Sequence, residues 1–149
     1  MKRITLIFAF VLCVVLGASA QIENPVTWSY GQKKISKTEA IVFLKATIED
    51  GWHIYSQNVK PGGPIKTTIT FSPSKDYTKV GATSEPKPMT KFEKTFDMNV
   101  SYFEKQVIFQ QKVKLNKANT TVKGKIEFMV CNDSKCLPPS DVDFSVQVK

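Results

Sequence analysis

An all-β sandwich is the architecture this sequence predicts. Apolar residues recur at every second position in one short run after another, which is the period of a half-buried strand. Turn-forming residues separate these runs at close intervals. No window shows a helical period bounded by caps.

Taken in order, Val26, Trp28 and Tyr30 alternate with polar residues. Ala40 to Ile48 is rich in Ile, Val and Phe and ends at the turn pair Asp50-Gly51. Trp52 to Gln57 resumes strand character, and Pro61-Gly-Gly-Pro64 breaks it. Ile65, Thr67, Ile69 and Phe71 alternate cleanly, and Tyr77 to Val80 suits a short strand. Val107, Phe109, Val113 and Leu115 form a further run that Gln111 interrupts. Ile126, Phe128 and Val130 alternate, and so do Val142, Phe144, Val146 and Val148. The total is about seven to nine strands, the pattern of a sandwich. Trp28 and Trp52 are expected in the core. Gly81 to Met98 fits no strand. With Pro86, Pro88, Phe92 and Phe96 it predicts a long loop of the functional kind, since its aromatic residues need cover.

The first twenty residues have the form of a signal peptide. Lys2 and Arg3 precede the apolar run Ile4 to Leu16, and Ala18-Ser-Ala20 supplies small residues for cleavage after Ala20. The run is short for a bilayer span, which takes about 20 residues. Cys13 follows Leu12 rather than a small residue, which argues against a lipidation site. The expected mature chain, 21–149, has roughly 129 residues, the size of one domain. It is expected to be exported. The formal charge of +8 is spread over scattered lysines, with no basic-aromatic motif, so a nucleic-acid partner is not expected.

Removal of the leader leaves two cysteines, in Cys131-Asn-Asp-Ser-Lys-Cys136-Leu-Pro-Pro. Four turn-forming or polar residues lie between them. Residues that close such a hairpin face each other at about 4.5–5.5 Å between Cα atoms, within the range a disulfide accepts. Pro138 and Pro139 withhold backbone donors, so the return strand is expected at an edge. If the strand through Ile126, Phe128 and Val130 stays regular, Cys131 points away from the core and is open to a partner. Three readings remain open: a reversible redox pair, a staple, or two thiolates of a metal site. A loop this short stabilises by only about 2 kcal/mol. Two thiols and one histidine fall short of a closed zinc site, so no metal is expected.

The Cys-x4-Cys-Leu-Pro-Pro hairpin in an exported β chain resembles the N-terminal periplasmic domain of the thiol:disulfide interchange protein DsbD. Asp50-Gly-Trp-His-Ile-Tyr-Ser56, Pro61 to Phe71 and Phe96-Asp-Met-Asn-Val-Ser-Tyr-Phe103 extend the resemblance over most of the mature chain. It implies an immunoglobulin-like β-sandwich with the cysteine pair on a β-hairpin. It also implies a thiol:disulfide oxidoreductase of the electron-carrier type, with Cys131 and Cys136 catalytic, Cys136 the attacking thiol, and no cofactor. Phe96 corresponds to a phenylalanine in a cap loop that covers the disulfide, with Phe92 the second candidate. His53 and Tyr55 correspond to two aromatic residues beside the pair, and Lys135 and Pro138 flank it. Lys135 would favour a thiolate at Cys136, and His53, if close, would relay a proton near neutral pH. The implied partners are exported thioredoxin-like or disulfide-isomerase-type proteins and a separate membrane thiol reductant. The chain departs from the family in three respects. Four residues, not five, separate the cysteines. Lys94 and Thr95 stand where acidic residues precede the cap phenylalanine. The transmembrane and thioredoxin-like parts are absent, so a stand-alone form is expected. The competing reading is an immunoglobulin-like binding module with a static hairpin bridge.

Overall fold

The structure, a computed structural model, describes residues 23–149. The leader-like segment and Cys13 lie outside them. Among the described residues there are eleven strands and no helix.

Strands β1 (Val26–Lys34), β2 (Glu39–Ile48), β8 (Gln106–Leu115) and β5 (Tyr77–Ser84) form one antiparallel sheet in the order β1-β2-β8-β5. A second sheet, in the order β11-β9-β4, contains β11 (Ser140–Val148), β9 (Thr120–Phe128) and β4 (Thr68–Phe71). The inner faces of these two sheets make the core. Val42, Leu44, Phe109 and Val113 come from one, and Val122, Ile126, Phe144 and Val146 from the other. Trp28 of β1 reaches across, 6.1 Å from the Phe109 ring and 5.4 Å from the Phe128 ring between centroids. Both tryptophans are half-buried against this core, as expected. Gly124 sits where nothing larger fits. A Cβ there would meet the Thr70 carbonyl and come within 2.5 Å of Phe144 Cζ.

Gln111 does not interrupt β8. It faces inward with Val107, Phe109, Val113 and Leu115. Its amide donates to the carbonyls of Lys112 at 2.8 Å and Val80 at 3.1 Å, and its Oε1 accepts from the Thr83 hydroxyl at 2.8 Å. These bonds satisfy a buried polar side chain and brace β5, whose register shifts between Val80 and Ser84.

A third, smaller sheet has the order β10-β3-β7-β6, from β10 (Val130–Cys131), β3 (His53–Tyr55), β7 (Met98–Glu104) and β6 (Met89–Glu93). The stretch expected to be a long loop therefore contains three pieces of strand. β5 runs on to Ser84, and β6 and β7 make a hairpin whose tip is Lys94–Asp97. Asp97 takes a positive φ of 50° to close that tip. The alternation in Met89, Lys91 and Glu93 is too short and too mixed to stand out from sequence. The hairpin becomes part of a sheet only by pairing β7 with β3.

This sheet also overturns the expected outward direction of Cys131. β9 ends at Phe128, Met129 is a break, and Val130–Cys131 pairs with β3 instead. Val130 faces the main core, and Cys131 enters a second cluster with Tyr55 and Val100. Consecutive residues are both buried because packed structure lies on both sides of the small sheet.

Candidate functional site

Cys131 and Cys136 are joined by a disulfide with 4.0 Å between their Cα atoms, closer than the hairpin estimate. The hairpin is tight for local reasons. The Asn132 N–H donates to the Lys135 carbonyl at 2.8 Å, and the Leu137 N–H to that of Val130 at 2.9 Å. The Asn132 side-chain Oδ1 accepts from the backbone N–H groups of Ser134 at 2.9 Å and Lys135 at 2.8 Å. This is the turn chemistry by which asparagine stabilises such loops. The return strand β11 lies at the edge of its sheet, as the prolines suggested, and β10 lies at the edge of the small sheet. The two sulfur-bearing residues differ sharply. Cys131 is buried, at 1% exposure, and Cys136 is exposed.

The pair lies in an open cleft of about 270 Å³. The cysteine hairpin forms one wall, His53 and Tyr55 form the floor, and Glu93, Thr95 and Phe96 at the tip of the β6–β7 hairpin form the other wall. His53 is the register partner of Cys131 across β3 and β10. Phe96 is half-buried. Phe92 is not in the cleft. It points to the other side of β6 and is 57% exposed, because strand parity puts Lys91 and Glu93 on the face toward Tyr102 of β7 and the His53 and Tyr55 rings of β3. Pro138 is exposed and also outside the cleft.

Burial controls the electrostatics here. The His53 ring packs edge-on against Tyr55 and Tyr102, each 5.3 Å away between centroids. Its Nε2 lies 3.3 Å from the Tyr55 hydroxyl. Desolvation, with the nearby Lys91 ammonium, lowers the His53 pKa to about 4, against the opposing pull of Glu93 and Asp133. The imidazole is therefore neutral at pH 7, and it does not titrate in the range a neutral-pH relay needs. Burial, with Glu93, pushes the Tyr55 hydroxyl up to about 12, so it stays protonated. Glu93 and Asp133 bring carboxylates into the cleft although the tip itself carries Lys94 and Thr95. Sequence reasoning did not single out Asp133, whose place depends on the hairpin's curl. Lys135 directs its ammonium elsewhere, to Glu23 Oε2 at 2.6 Å and over the Trp52 ring at 5.9 Å.

Fold and site together define a β-sandwich domain that presents a disulfide at a sheet edge, with one sulfur-bearing residue covered and the other open, beneath the tip of a hairpin. Residues 25–147 match the family described as "Thiol:disulfide interchange protein DsbD, N-terminal", and the chain belongs to that family. Three solved structures are similar to it. The N-terminal domain of Neisseria meningitidis DsbD in the reduced form superposes with a TM-score of 0.51 at 18% identity, covering 78% of this chain and 82% of that one. The N-terminal periplasmic domain of ScsB from Proteus mirabilis gives 0.59 at 18% identity, covering 85% of this chain and 47% of that one. The complex between the DsbD and PilB N-terminal domains of N. meningitidis contains a chain that gives 0.55 at 16% identity, covering 84% of this chain and 87% of that one. No curated protein matches the sequence. The fold is thus the immunoglobulin-like β-sandwich of that family.

Proposed function

We propose that this domain is an exported carrier of reducing equivalents that works by thiol–disulfide exchange through Cys131 and Cys136. The observation that carries the reading is the asymmetry of the pair: Cys136 is exposed in the cleft while Cys131 is buried beside Tyr55 and Val100. A staple needs no such access. Family membership points the same way.

In the loading half-reaction a donor thiolate attacks Cys136 Sγ. The Cys131–Cys136 bond breaks, and Cys131 leaves as a thiolate that takes up a proton. The donor's second thiol then displaces Cys136 and carries the disulfide away. In the unloading half-reaction the Cys136 thiolate attacks a disulfide of the acceptor, whose distal sulfur leaves as a thiol. Cys131 then attacks Cys136 Sγ, restores the internal bridge and releases the acceptor as a dithiol. Two electrons and two protons pass through the domain per cycle. No cofactor takes part. Phe96, on the facing wall of the cleft, is placed to screen the pair between encounters and to move aside on docking.

Thioredoxin-like or disulfide-isomerase-type exported proteins, with a separate membrane thiol reductant as donor, fit this chemistry. The complex of the DsbD and PilB N-terminal domains supports a protein partner for the fold. The leader-like residues 1–20 and the periplasmic neighbour support a periplasmic location. The experiment is trapping. Cys131→Ser should form a stable mixed disulfide with a thioredoxin-like partner whose own second active-site cysteine is replaced by serine, because neither side then keeps a thiol to resolve it, and Cys136→Ser should form none. A bridge that a thioredoxin-type dithiol cannot reduce, with a potential well below about −300 mV, overturns the reading.

A further inference from the structure

Glu85 lies outside the cleft, yet among the described residues no other carboxylate accepts as many hydrogen bonds. It follows β5 and precedes Pro86-Lys-Pro88, which leads into β6. Three consecutive residues after β3 donate to its side chain. The Ser56 hydroxyl and the Asn58 side-chain amide, the latter at 2.9 Å, bind Oε1. The Gln57 backbone N–H at 3.0 Å and its side-chain amide at 3.3 Å bind Oε2. The Gln57 amide also reaches the Thr83 carbonyl at 3.3 Å.

These bonds bear on the hairpin that carries Phe96. Ser56 is fully buried, and its backbone N–H donates to the Ser101 carbonyl of β7 at 2.9 Å. Ser101 in turn is the register partner of Thr90 in β6. A closed circuit therefore runs from Glu85 to Ser56, to β7, to β6, and back along the chain to Glu85. The returning arm is stiff, since Pro86 and Pro88 fix their φ angles and have no N–H to offer water or a competing partner. The circuit clamps the root of the hairpin. Its tip lies a five-residue strand away, roughly 17 Å.

We propose that Glu85 is a positioning residue that holds the β6–β7 hairpin so that Phe96 faces the Cys131–Cys136 pair across the cleft and screens it. The proposal rests on the reading of that pair as redox-active and of Phe96 as its cover. Loss of the carboxylate strands the buried Ser56 hydroxyl and the Gln57 N–H without their acceptor. The hairpin root then loosens, and the cover opens more often.

The test measures oxidation of the reduced domain by glutathione disulfide. In this reaction the two cysteine thiols give up two electrons and two protons, the Cys131–Cys136 bond forms, and one glutathione disulfide becomes two glutathiones. Glu85→Ala should speed this oxidation about tenfold in protein that remains folded, with the equilibrium potential unchanged because Glu85 touches neither sulfur. The double variant Glu85→Ala/Phe96→Ala should oxidise no faster than Phe96→Ala alone, which a merely structural role would not produce. Glu85→Gln keeps one carbonyl oxygen and should fall between. If Glu85→Ala does not fold, Glu85→Gln and Ser56→Ala carry the same comparison. A lowered melting temperature with an unchanged oxidation rate overturns the proposal, and so do rate effects of Glu85→Ala and Phe96→Ala that simply multiply. Failure of the underlying reading looks different: Phe96→Ala itself leaves the rate unchanged, or the native bridge cannot be reduced.

Discussion

At the residue scale, His53 illustrates how burial changes a side chain's chemistry. It is the chain's single histidine, and the family resemblance placed it beside the cysteines. Its neutrality could not be read from sequence, because the rings of Tyr55 and Tyr102 that desolvate it come together only on folding. A folded pKa of about 4, below the ordinary 6.5, has a definite sign in the stability profile. Above pH 6.5 both folded and unfolded chains hold a neutral imidazole. As the pH falls from 6.5 toward 4, the unfolded chain takes up a proton that the folded one refuses, and stability is lost. Below about 4 the loss levels off. The contribution is at most about 3 kcal/mol. Urea unfolding at pH 7, 5.5 and 4 should show this decline. His53→Phe, which keeps a ring against both tyrosines, should remove this part of it. An equal decline in the variant would assign the effect to carboxylates alone.

At the scale of elements, the β6–β7 hairpin is the piece that sequence reasoning placed but did not see. Phe96 was legible through resemblance. The choice between Phe96 and Phe92 depended on strand parity within a hairpin hidden by its mixed polarity. If Phe96 covers the pair, Phe96→Ala should speed oxidation of the reduced protein by a small disulfide about tenfold, and Phe92→Ala should leave it unchanged. Stopped-flow thiol titration separates these outcomes, and equal rates in all three proteins rule out a cover. A different element, β9, depends on a missing side chain. Gly124 lies where β4 and Phe144 close on the strand. Gly124→Ala should destabilise the domain by about 3 kcal/mol in chemical denaturation, as overpacking against backbone does.

At the scale of the whole molecule, the core lies between two sheets and the cysteine hairpin lies at the edge of a third. The bridge closes a loop with a sequence separation of 5, so it constrains the unfolded chain very little. Replacing both cysteines with alanine should cost about 2 kcal/mol. The β-sheet circular dichroism and a cooperative thermal transition should survive. Loss of the folded state would instead make the bridge a required staple and weaken the carrier reading. A bridge that the fold can do without is one that can open and close during turnover with the sandwich intact.

The sequence by itself determined the sandwich, the approximate positions of most strands, the cysteine hairpin and the family. These rest on short-range signals: a period of two, turn residues between runs, and a motif of nine residues. Tertiary structure decided the rest. It buried Cys131 by switching the chain between sheets at Met129, and left Cys136 open. It turned the Lys135 ammonium toward Glu23, 112 positions away in the chain, and joined Glu85 to Ser56 across 29. It also made His53 neutral. The physical reason is the same in each case. Access, desolvation and hydrogen-bond partnership depend on which distant segments pack together, and no local pattern records that.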